Sequence, residues 1–342
     1  MKKGYLITGF LLAAAYCSGE DIGVPDPSAI EYPDGKPPSK HEVELGKTLF
    51  FDNRLSLNQQ QSCATCHNPD LGFSDGMASG HGTMGGNLGR NTPHIYNLAW
   101  GSIFFWDGRA STLEEQALGP IQAAGEMNMP LDSLLPRLKR VGYYRNTFTK
   151  VYGKEGITNE NIGRAIASFE RTIVSANSPF DRFVKGDKDA MIPAAIRGMD
   201  LFKGKANCIA CHGGPNFTDE SFHNVGLGDT DPGRAKIVPG ATMQGAFKTS
   251  GLRNIILSAP YMHNGSEASL EAVVRFYNKG GNSKQGTDKL IKPLNLSNQE
   301  IQELVAFLGA LTDPVKVAAP KIPKDDDNRM GALSPARKGA MP

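Results

Sequence analysis

The sequence of 342 residues has almost no excess of charge of either sign. It contains 37 Lys and Arg against 35 Asp and Glu, for a net charge of +2. Attraction to nucleic acid or to anionic lipid requires charge of one sign concentrated on the surface. The charge balance therefore argues against both classes of partner.

Apolar side chains are also scarce for a chain of this length. The hydrophobic fraction is 39%, and the chain contains 39 Gly and 22 Pro. Soluble domains usually have about 45–50% apolar residues when glycine is counted. This chain reaches that range only through its glycines, which contribute no side chain, so a group other than side chains is expected to fill part of the core.

No apolar run reaches the eighteen residues of a membrane-spanning helix. The longest, Tyr5–Ala15, follows two lysines and ends in small residues, a pattern typical of a secretory signal. Residues 1–17 are therefore predicted to be a signal peptide that directs export to the periplasm. Cys17 leaves open the alternative of a lipidated first residue and a membrane anchor. At the other end, residues 314–342 are rich in Lys, Asp and Pro and are predicted to form a flexible tail.

Four of the five cysteines form two Cys-x-x-Cys-His motifs, Cys63–His67 and Cys208–His212. In this motif two thioethers attach a haem and the adjacent histidine binds its iron. Zinc sites usually place their cysteine pairs much closer together, and a thioredoxin-like pair explains neither the duplication nor the histidine. Structural disulfides are typical of small secreted domains rather than of a long chain. The sequence thus predicts two covalently bound haem c groups, which would also account for the small share of apolar side chains.

The two motifs divide the chain into an N-terminal haem domain, residues 18–185, and a C-terminal haem domain, residues 186–313. Strand signals are few, and Gly- and Asn-rich loops follow each motif. Apolar periodicity predicts helices before both motifs, at 41–51 and 194–202, and further helices at 113–118, 131–141, 159–174, 270–277 and 298–311. Ser297 and Glu300 form a predicted capping box for the last helix. The expected fold is mainly α, with two cytochrome c-like haem domains, long loops and few strands.

Between about residues 40 and 312 the chain resembles the bacterial dihaem cytochrome c peroxidases and their MauG-like relatives. The resemblance lies in both haem motifs and in the following segments: 90–93 (RNTP), 105–109 (FWDGR), 113–120 (LEEQALGP), 126–127 (EM), 252–254 (LRN) and 259–265 (APYMHNG). It implies that the haem on His67 is the peroxidatic centre. The haem on His212 would receive electrons from a small cytochrome c or cupredoxin.

The resemblance also implies roles for residues that composition and spacing leave unassigned. Trp106 matches the tryptophan that lies between the haems and assists electron transfer. Gln116 and Glu126 match the pair above the peroxidatic iron, where a carboxylate takes a proton from peroxide and returns one to the leaving oxygen. His81 matches a histidine that caps this iron in the resting enzyme and leaves when the other haem is reduced.

A calcium ion between the haems is a further implication of the resemblance. Its ligands would be the side chain of Asn91 and the backbone carbonyls of Ser258 and Pro260, since oxygen atoms suit a hard cation. Ser258 replaces the usual threonine of the family, a change that a backbone ligand tolerates. The family often forms homodimers, so the resemblance also makes a homodimer one possible assembly of this chain.

Tyr277 departs from the peroxidase pattern, which places a methionine at this position as the second ligand of the C-terminal haem. A tyrosine here resembles the MauG-like branch, and as a ligand it would favour oxidised iron. The alternatives are that Tyr277 packs as an ordinary aromatic residue and that Met243, Met262 or water occupies the iron.

These features leave three hypotheses, of which the first is preferred because His81 fits a gated peroxidase. In the first, the chain reduces hydrogen peroxide to water with electrons from a small periplasmic redox protein. In the second, it is a MauG-like enzyme that uses peroxide to oxidise residues of a partner protein. In the third, it is a dihaem cytochrome that only transfers electrons.

Overall fold

The computed structural model describes residues 22–326, and the predicted signal peptide and Cys17 lie outside this range. Helices dominate, and two short strands form one antiparallel pair in which Phe222 lies opposite Lys248. The helices are α1 (Lys40–Phe50), α2 (Cys63–Cys66), α3 (Leu113–Gln122), α4 (Leu131–Lys139), α5 (Gly142–Tyr152), α6 (Asn159–Glu170), α7 (Pro179–Val184), α8 (Pro193–Lys203), α9 (Leu270–Asn278) and α10 (Asn298–Gly309); the strands are β1 (Phe222–His223) and β2 (Phe247–Lys248). The predicted mainly helical fold with few strands is confirmed.

Each helix that periodicity predicted is present, with differences at the ends. Helix α6 ends at Glu170, four residues before the predicted end, because the β-branched residues 172–174 follow it. The capping box of α10 is confirmed, since the side chains of Ser297 and Glu300 each accept a hydrogen bond from the other's backbone N–H. Helices α2, α5 and α7 are not among the predicted ones. The α5 sequence is rich in Tyr and Thr, which have weak helix propensity, so its period is hard to read.

Two large hydrophobic cores underlie the two halves of the described chain, beside a small third cluster of Phe104, Ala110, Leu113 and Ala167. The buried members of the first core lie between Leu45 and Ile173, and those of the second lie between Phe180 and Leu311, with Ile22 added. In each half, the helix before the Cys-x-x-Cys-His motif packs across a later helix: α1 across α6, and α8 across α10. This repeated arrangement supports the prediction of two similar halves. The domain boundaries at 185 and 313 remain predictions.

Both helix crossings are close because a glycine lies at the contact. A Cβ atom on Gly46 would lie 1.7 Å from the Ala165 carbonyl oxygen, and one on Gly198 would lie 1.9 Å from the Glu303 carbonyl oxygen. Side chains at these positions would separate the helices, so the absence of a Cβ sets both interhelical distances.

Replacing Gly198 with Ala is therefore expected to lower the free energy of unfolding by about 1–3 kcal/mol, the usual cost of overpacking. Thermal unfolding of the haem-loaded protein measures this loss. Gly23→Ala is the matched control, because no atom lies within 4 Å of the added carbon. If the two variants unfolded at the same temperature, the close crossing would not be the constraint that we infer.

Residues 314–326, the part of the predicted tail that the structure describes, lie against the N-terminal half. Val315 and Val317 pack against the first core. Asp325 accepts hydrogen bonds from Arg54, at 2.6 and 2.9 Å, and Asp326 accepts one from the Gly142 backbone at 2.8 Å. The polar composition that predicted a flexible tail thus supplies surface contacts in this stretch.

Among the described residues, no helix has both the length and the apolar character that crossing a bilayer requires.

Candidate active site

Both Cys-x-x-Cys-His motifs open into one continuous cavity of about 1220 Å³. Pockets for single small ligands usually measure about 300–1,000 Å³, so this space is larger than one such pocket. All four motif cysteines line the cavity, and none of them forms a disulfide. A large apolar cavity with two free cysteine pairs fits two covalently attached haems, and it accounts for the scarcity of apolar side chains.

The two motif histidines are oriented in the same way. Nδ1 of His67 lies 3.1 Å from the Phe73 carbonyl oxygen, and Nδ1 of His212 lies 2.9 Å from the Phe217 carbonyl oxygen. A proton on Nδ1 donated to the carbonyl leaves Nε2 as the free ligand atom, the usual arrangement for a metal-binding histidine. Burial lowers the pKa of both imidazoles and so favours the neutral form that binds iron.

Glu126 and Gln116 both line the cavity that contains His67. Helix α3 carries Gln116, and the turn after α3 carries Glu126. Burial raises the pKa of Glu126, and the positive charge of Arg109 partly opposes this effect. A carboxyl group with a raised pKa exchanges protons closer to neutral pH, which is what a general acid–base residue needs.

Arg109 is a site residue to which the sequence assigned no role. Its guanidinium group stacks on Phe105, 3.5 Å from the ring centre, and donates to Asp107 Oδ1 at 3.0 Å. Its Nη2 atom lies 4.0 Å from Glu126 Oε1. The segment 105–109 therefore holds a cation beside the candidate proton-transfer group. The FWDGR motif, which contains Arg109, was the feature of the sequence that could have indicated this role.

His81 lies in an exposed loop that also lines the cavity. The loop contacts the Glu126 segment directly: the Thr83 N–H donates to the Glu126 carbonyl oxygen at 2.7 Å. A Cβ atom on Gly82 would lie 1.7 Å from the Gly125 carbonyl oxygen, so this approach requires glycine. The structure thus brings the loop of His81 against the segment of Glu126.

Trp106 lines the cavity that the two haem motifs share. Its indole N–H donates to the Asn91 carbonyl oxygen at 2.8 Å, and its ring makes an edge contact with His263, 6.4 Å between ring centres. The backbone carbonyl of Trp106 accepts a hydrogen bond from the Lys248 N–H of β2 at 2.8 Å. These bonds hold the indole where segments of both halves meet.

The three expected calcium ligands, Asn91, Ser258 and Pro260, all line the same cavity. The side-chain N–H of Asn91 donates to the Met77 carbonyl oxygen at 2.8 Å, which leaves Oδ1 as the amide atom available to a cation. The Asn91 N–H donates to the His263 carbonyl oxygen at 2.7 Å and thereby ties the two ligand segments together.

Tyr277 belongs to α9 and faces the second haem motif. Burial, with smaller contributions from Cys208 and Cys211, raises the pKa of its hydroxyl group above the ordinary value. The side chain lines the cavity, as does Met262, whereas Met243 is not among the lining residues. The tyrosine hydroxyl is thus close to the position where the second haem would be attached.

His223 on β1 is a second residue that the sequence left without a role. Its two ring nitrogens lie 2.9 Å from Asp219 Oδ2 and 2.6 Å from Asp288 Oδ2. Hydrogen bonds to Asp219, then to Cys211, and then to Asp288 raise its pKa to about 11. A cationic histidine therefore fastens the 284–292 loop beside the second motif. Asp288 lies 65 residues from His223 in the chain, so no short-range pattern links these two residues.

Comparison with known proteins places these residues in a family. The sequence profile described as di-haem cytochrome c peroxidase matches residues 40–189. The methylamine utilization protein MauG of Methylorubrum extorquens is 45% identical over 302 residues, covering 87% of this chain and 86% of that protein. The cytochrome-c peroxidase IdrP1 of Pseudomonas sp. strain SCT is 36% identical over 330 residues, covering 86% of this chain and 87% of that protein.

A solved structure agrees. The crystal structure of a MauG-like protein associated with microbial copper homeostasis has 32% sequence identity and a TM-score of 0.78, and the match covers 83% of this chain and 92% of that one. The predicted resemblance is confirmed: the chain belongs to the family of di-haem cytochrome c peroxidases and MauG proteins, oxidoreductases that carry two haem c groups and act with peroxide.

Proposed function

We propose that this chain reduces hydrogen peroxide to water at the site beside His67, with two electrons that enter at the site beside His212. The observation that carries the proposal is the position of Glu126, a part-buried carboxyl group with a raised pKa in the cavity that also contains His67. Arg109 Nη2 lies 4.0 Å from Glu126 Oε1, where its positive charge stabilises the ionised form that accepts a proton.

The haem groups supply the redox-active iron, and the chain supplies proton transfer and orientation. Glu126 accepts a proton from one peroxide oxygen and returns it to the other, which leaves as water. Gln116 orients the peroxide by hydrogen bonding, and Arg109 stabilises the ionised form of Glu126. Two electrons and two further protons complete the conversion of one hydrogen peroxide to two water molecules.

The proposed transfer of electrons from the His212 site to the His67 site rests on the single cavity and on Trp106. The indole lies in the space that both motifs share, so it offers an aromatic group between the two sites. A small periplasmic cytochrome c or cupredoxin would deliver electrons near His212. We further propose Tyr277 as an iron ligand at that site and Asn91, Ser258 and Pro260 as ligands of a calcium ion.

A MauG-like reaction, the peroxide-dependent oxidation of a partner protein's residues, is the second candidate. Two observations favour it: a tyrosine rather than a methionine faces the second motif, and a MauG protein is 45% identical to this chain. An anionic oxygen ligand disfavours reduction by ordinary donors.

The test is peroxide-dependent oxidation of a reduced small cytochrome c, with the enzyme as isolated and after partial reduction. Donor oxidation supports the peroxidase. Consumption of peroxide without donor oxidation supports the MauG-like reaction, and no reaction in either state leaves a cytochrome that only transfers electrons.

Replacing His81 with Gly is expected to make the fully oxidised enzyme active without prior reduction, because the proposed cap on the first iron is then missing. Peroxide turnover of the as-isolated enzyme measures this gain. His41→Ala, at an exposed histidine of α1, is the control and should still require reduction. If His81→Gly also required reduction, gating by His81 would be wrong.

A further inference from the structure

The last residue of α6, Glu170, is a buried carboxyl group for which the proposed reaction has no use. Its side chain lines the cavity and the residue is 4% exposed. Oε2 has no hydrogen-bond partner among residues 22–326. Buried polar groups almost always have partners, so an unpaired carboxyl oxygen on a residue that lines a cofactor cavity needs an explanation.

The charges around Glu170 do not neutralise it. The adjacent Arg171 directs its guanidinium group to Glu114 of α3, with N–O distances of 2.6 and 3.1 Å. On α1, which also packs against α6, the Glu42 carboxylate accepts hydrogen bonds from Tyr152 and Ser168. An ionised carboxylate without a partner is costly in an apolar site, so Glu170 holds its proton. Consistent with this, burial raises its pKa to about 8, with Arg171 opposing and Glu114 adding to the effect.

Glu170 is close to the attachment point of the first haem. Both residues line the same cavity, and the charge of Glu170 contributes, after burial, to a raised pKa of the Cys63 thiol. A charge that changes at the first haem therefore acts on Glu170 through a low-dielectric interior, where such interactions are strong.

We propose that Glu170 is the proton-exchanging partner of the first haem: it releases its proton to water when this haem loses an electron and takes a proton back when the electron returns. The proposal goes beyond the proposed function, since it requires a haem at Cys63, Cys66 and His67 but no particular electron donor or substrate. Loss of one electron adds one positive charge, and loss of the Glu170 proton removes one.

The direction of the pH effect follows from this balance. The positive charge of the oxidised haem lowers the pKa of Glu170 relative to the reduced state. Between the two pKa values, oxidation releases a proton, so higher pH favours the oxidised form. The reduction potential of the first haem then falls as pH rises, by up to about 59 mV per pH unit for a one-electron couple.

The experiment is a spectroelectrochemical titration of the first haem in the holoprotein from pH 6 to 10. The wild type is expected to show the falling potential, and Glu170→Gln, which keeps the shape but not the titratable proton, is expected to lose it. Glu155→Gln, at an exposed carboxyl, is the control and should behave as the wild type. An equal slope in the wild type and Glu170→Gln, or a flat wild-type profile, overturns the proposal.

Glu126→Gln belongs in the same titration, because Glu126 also lines the cavity near the first motif. The slope should survive this change. If it disappeared there and persisted in Glu170→Gln, the proton would belong to Glu126 and the proposal would be wrong. None of these readouts depends on peroxide turnover, so failure of the proposed peroxidase activity would be seen separately.

An infrared measurement on the wild type covers the case in which Glu170→Gln fails to assemble. The difference spectrum between the reduced and oxidised protein should show loss of a protonated carboxyl band on oxidation. No change in any protonated carboxyl band overturns the proposal without any variant.

Discussion

Replacing Glu126 with Gln is expected to leave both haems attached and to lower peroxide turnover by about 10²- to 10⁴-fold, the range typical of a lost general acid–base group. The amide keeps the shape of the side chain but cannot accept the proton. Steady-state peroxide consumption with a reduced cytochrome c as donor measures the loss, and the haem spectrum reports that both attachments remain.

The pH profile sharpens this test. Because burial raises the pKa of Glu126, the ionised form that accepts a proton is lost on acidification at a higher pH than for an ordinary carboxyl group. The acid limb of kcat/KM should therefore lie above the usual carboxyl range and should be absent from the residual activity of the variant. Glu155→Gln is the control. Normal turnover in Glu126→Gln would remove this residue from the mechanism.

Replacing Tyr277 with Met is expected to raise the reduction potential of the second haem by a substantial part of the roughly 0.8 V range that axial ligands span. A thioether stabilises reduced iron, whereas an anionic oxygen stabilises oxidised iron. Potentiometric titration of the holoprotein measures the change. Donor-dependent peroxide turnover should rise with it, because the second site accepts electrons more readily.

Two further variants separate ligation from packing at this position. Tyr277→Phe keeps the ring and removes the oxygen, so it should alter the spectrum of the second haem while leaving the packing of α9 in place. Tyr32→Phe, in the N-terminal segment outside the cavity lining, should alter neither the spectrum nor the potential. An unchanged spectrum in Tyr277→Phe would mean that Tyr277 packs beside the haem without binding its iron.

Local patterns in the sequence predicted most of the helices correctly, because each depends on residues a few positions apart. The capping box at Ser297 and the apolar stripe of α10 are of this kind. Helix α7 has the same signal, a capping box at Ser178 and Asp181, but its six residues are too few to establish a period. Helix α5 lacks a strong signal of either type and is held by burial of Tyr144 and Phe148 in the first core.

The candidate site also combines features that local sequence predicts with features that only long-range packing creates. The cysteine pairs and their histidines lie within five consecutive residues, so one turn of chain contains the whole attachment chemistry and the sequence alone identifies it. Arg109 lies 4.0 Å from Glu126, and Glu170 lines the same cavity as Cys63, only because separate segments pack together in the folded chain. Such long-range contacts leave no trace in spacing or periodicity.

By itself, the sequence determined the secondary structure in outline and the presence of two haem attachment motifs, since both are set by interactions between near neighbours in the chain. Only the tertiary structure decided that the two motifs open into one cavity, that residues 314–326 lie on the N-terminal half, and that a residue lining this cavity buries a carboxyl oxygen without a hydrogen-bond partner. These features depend on the burial of segments far apart in the chain, and burial is a property of the packed molecule.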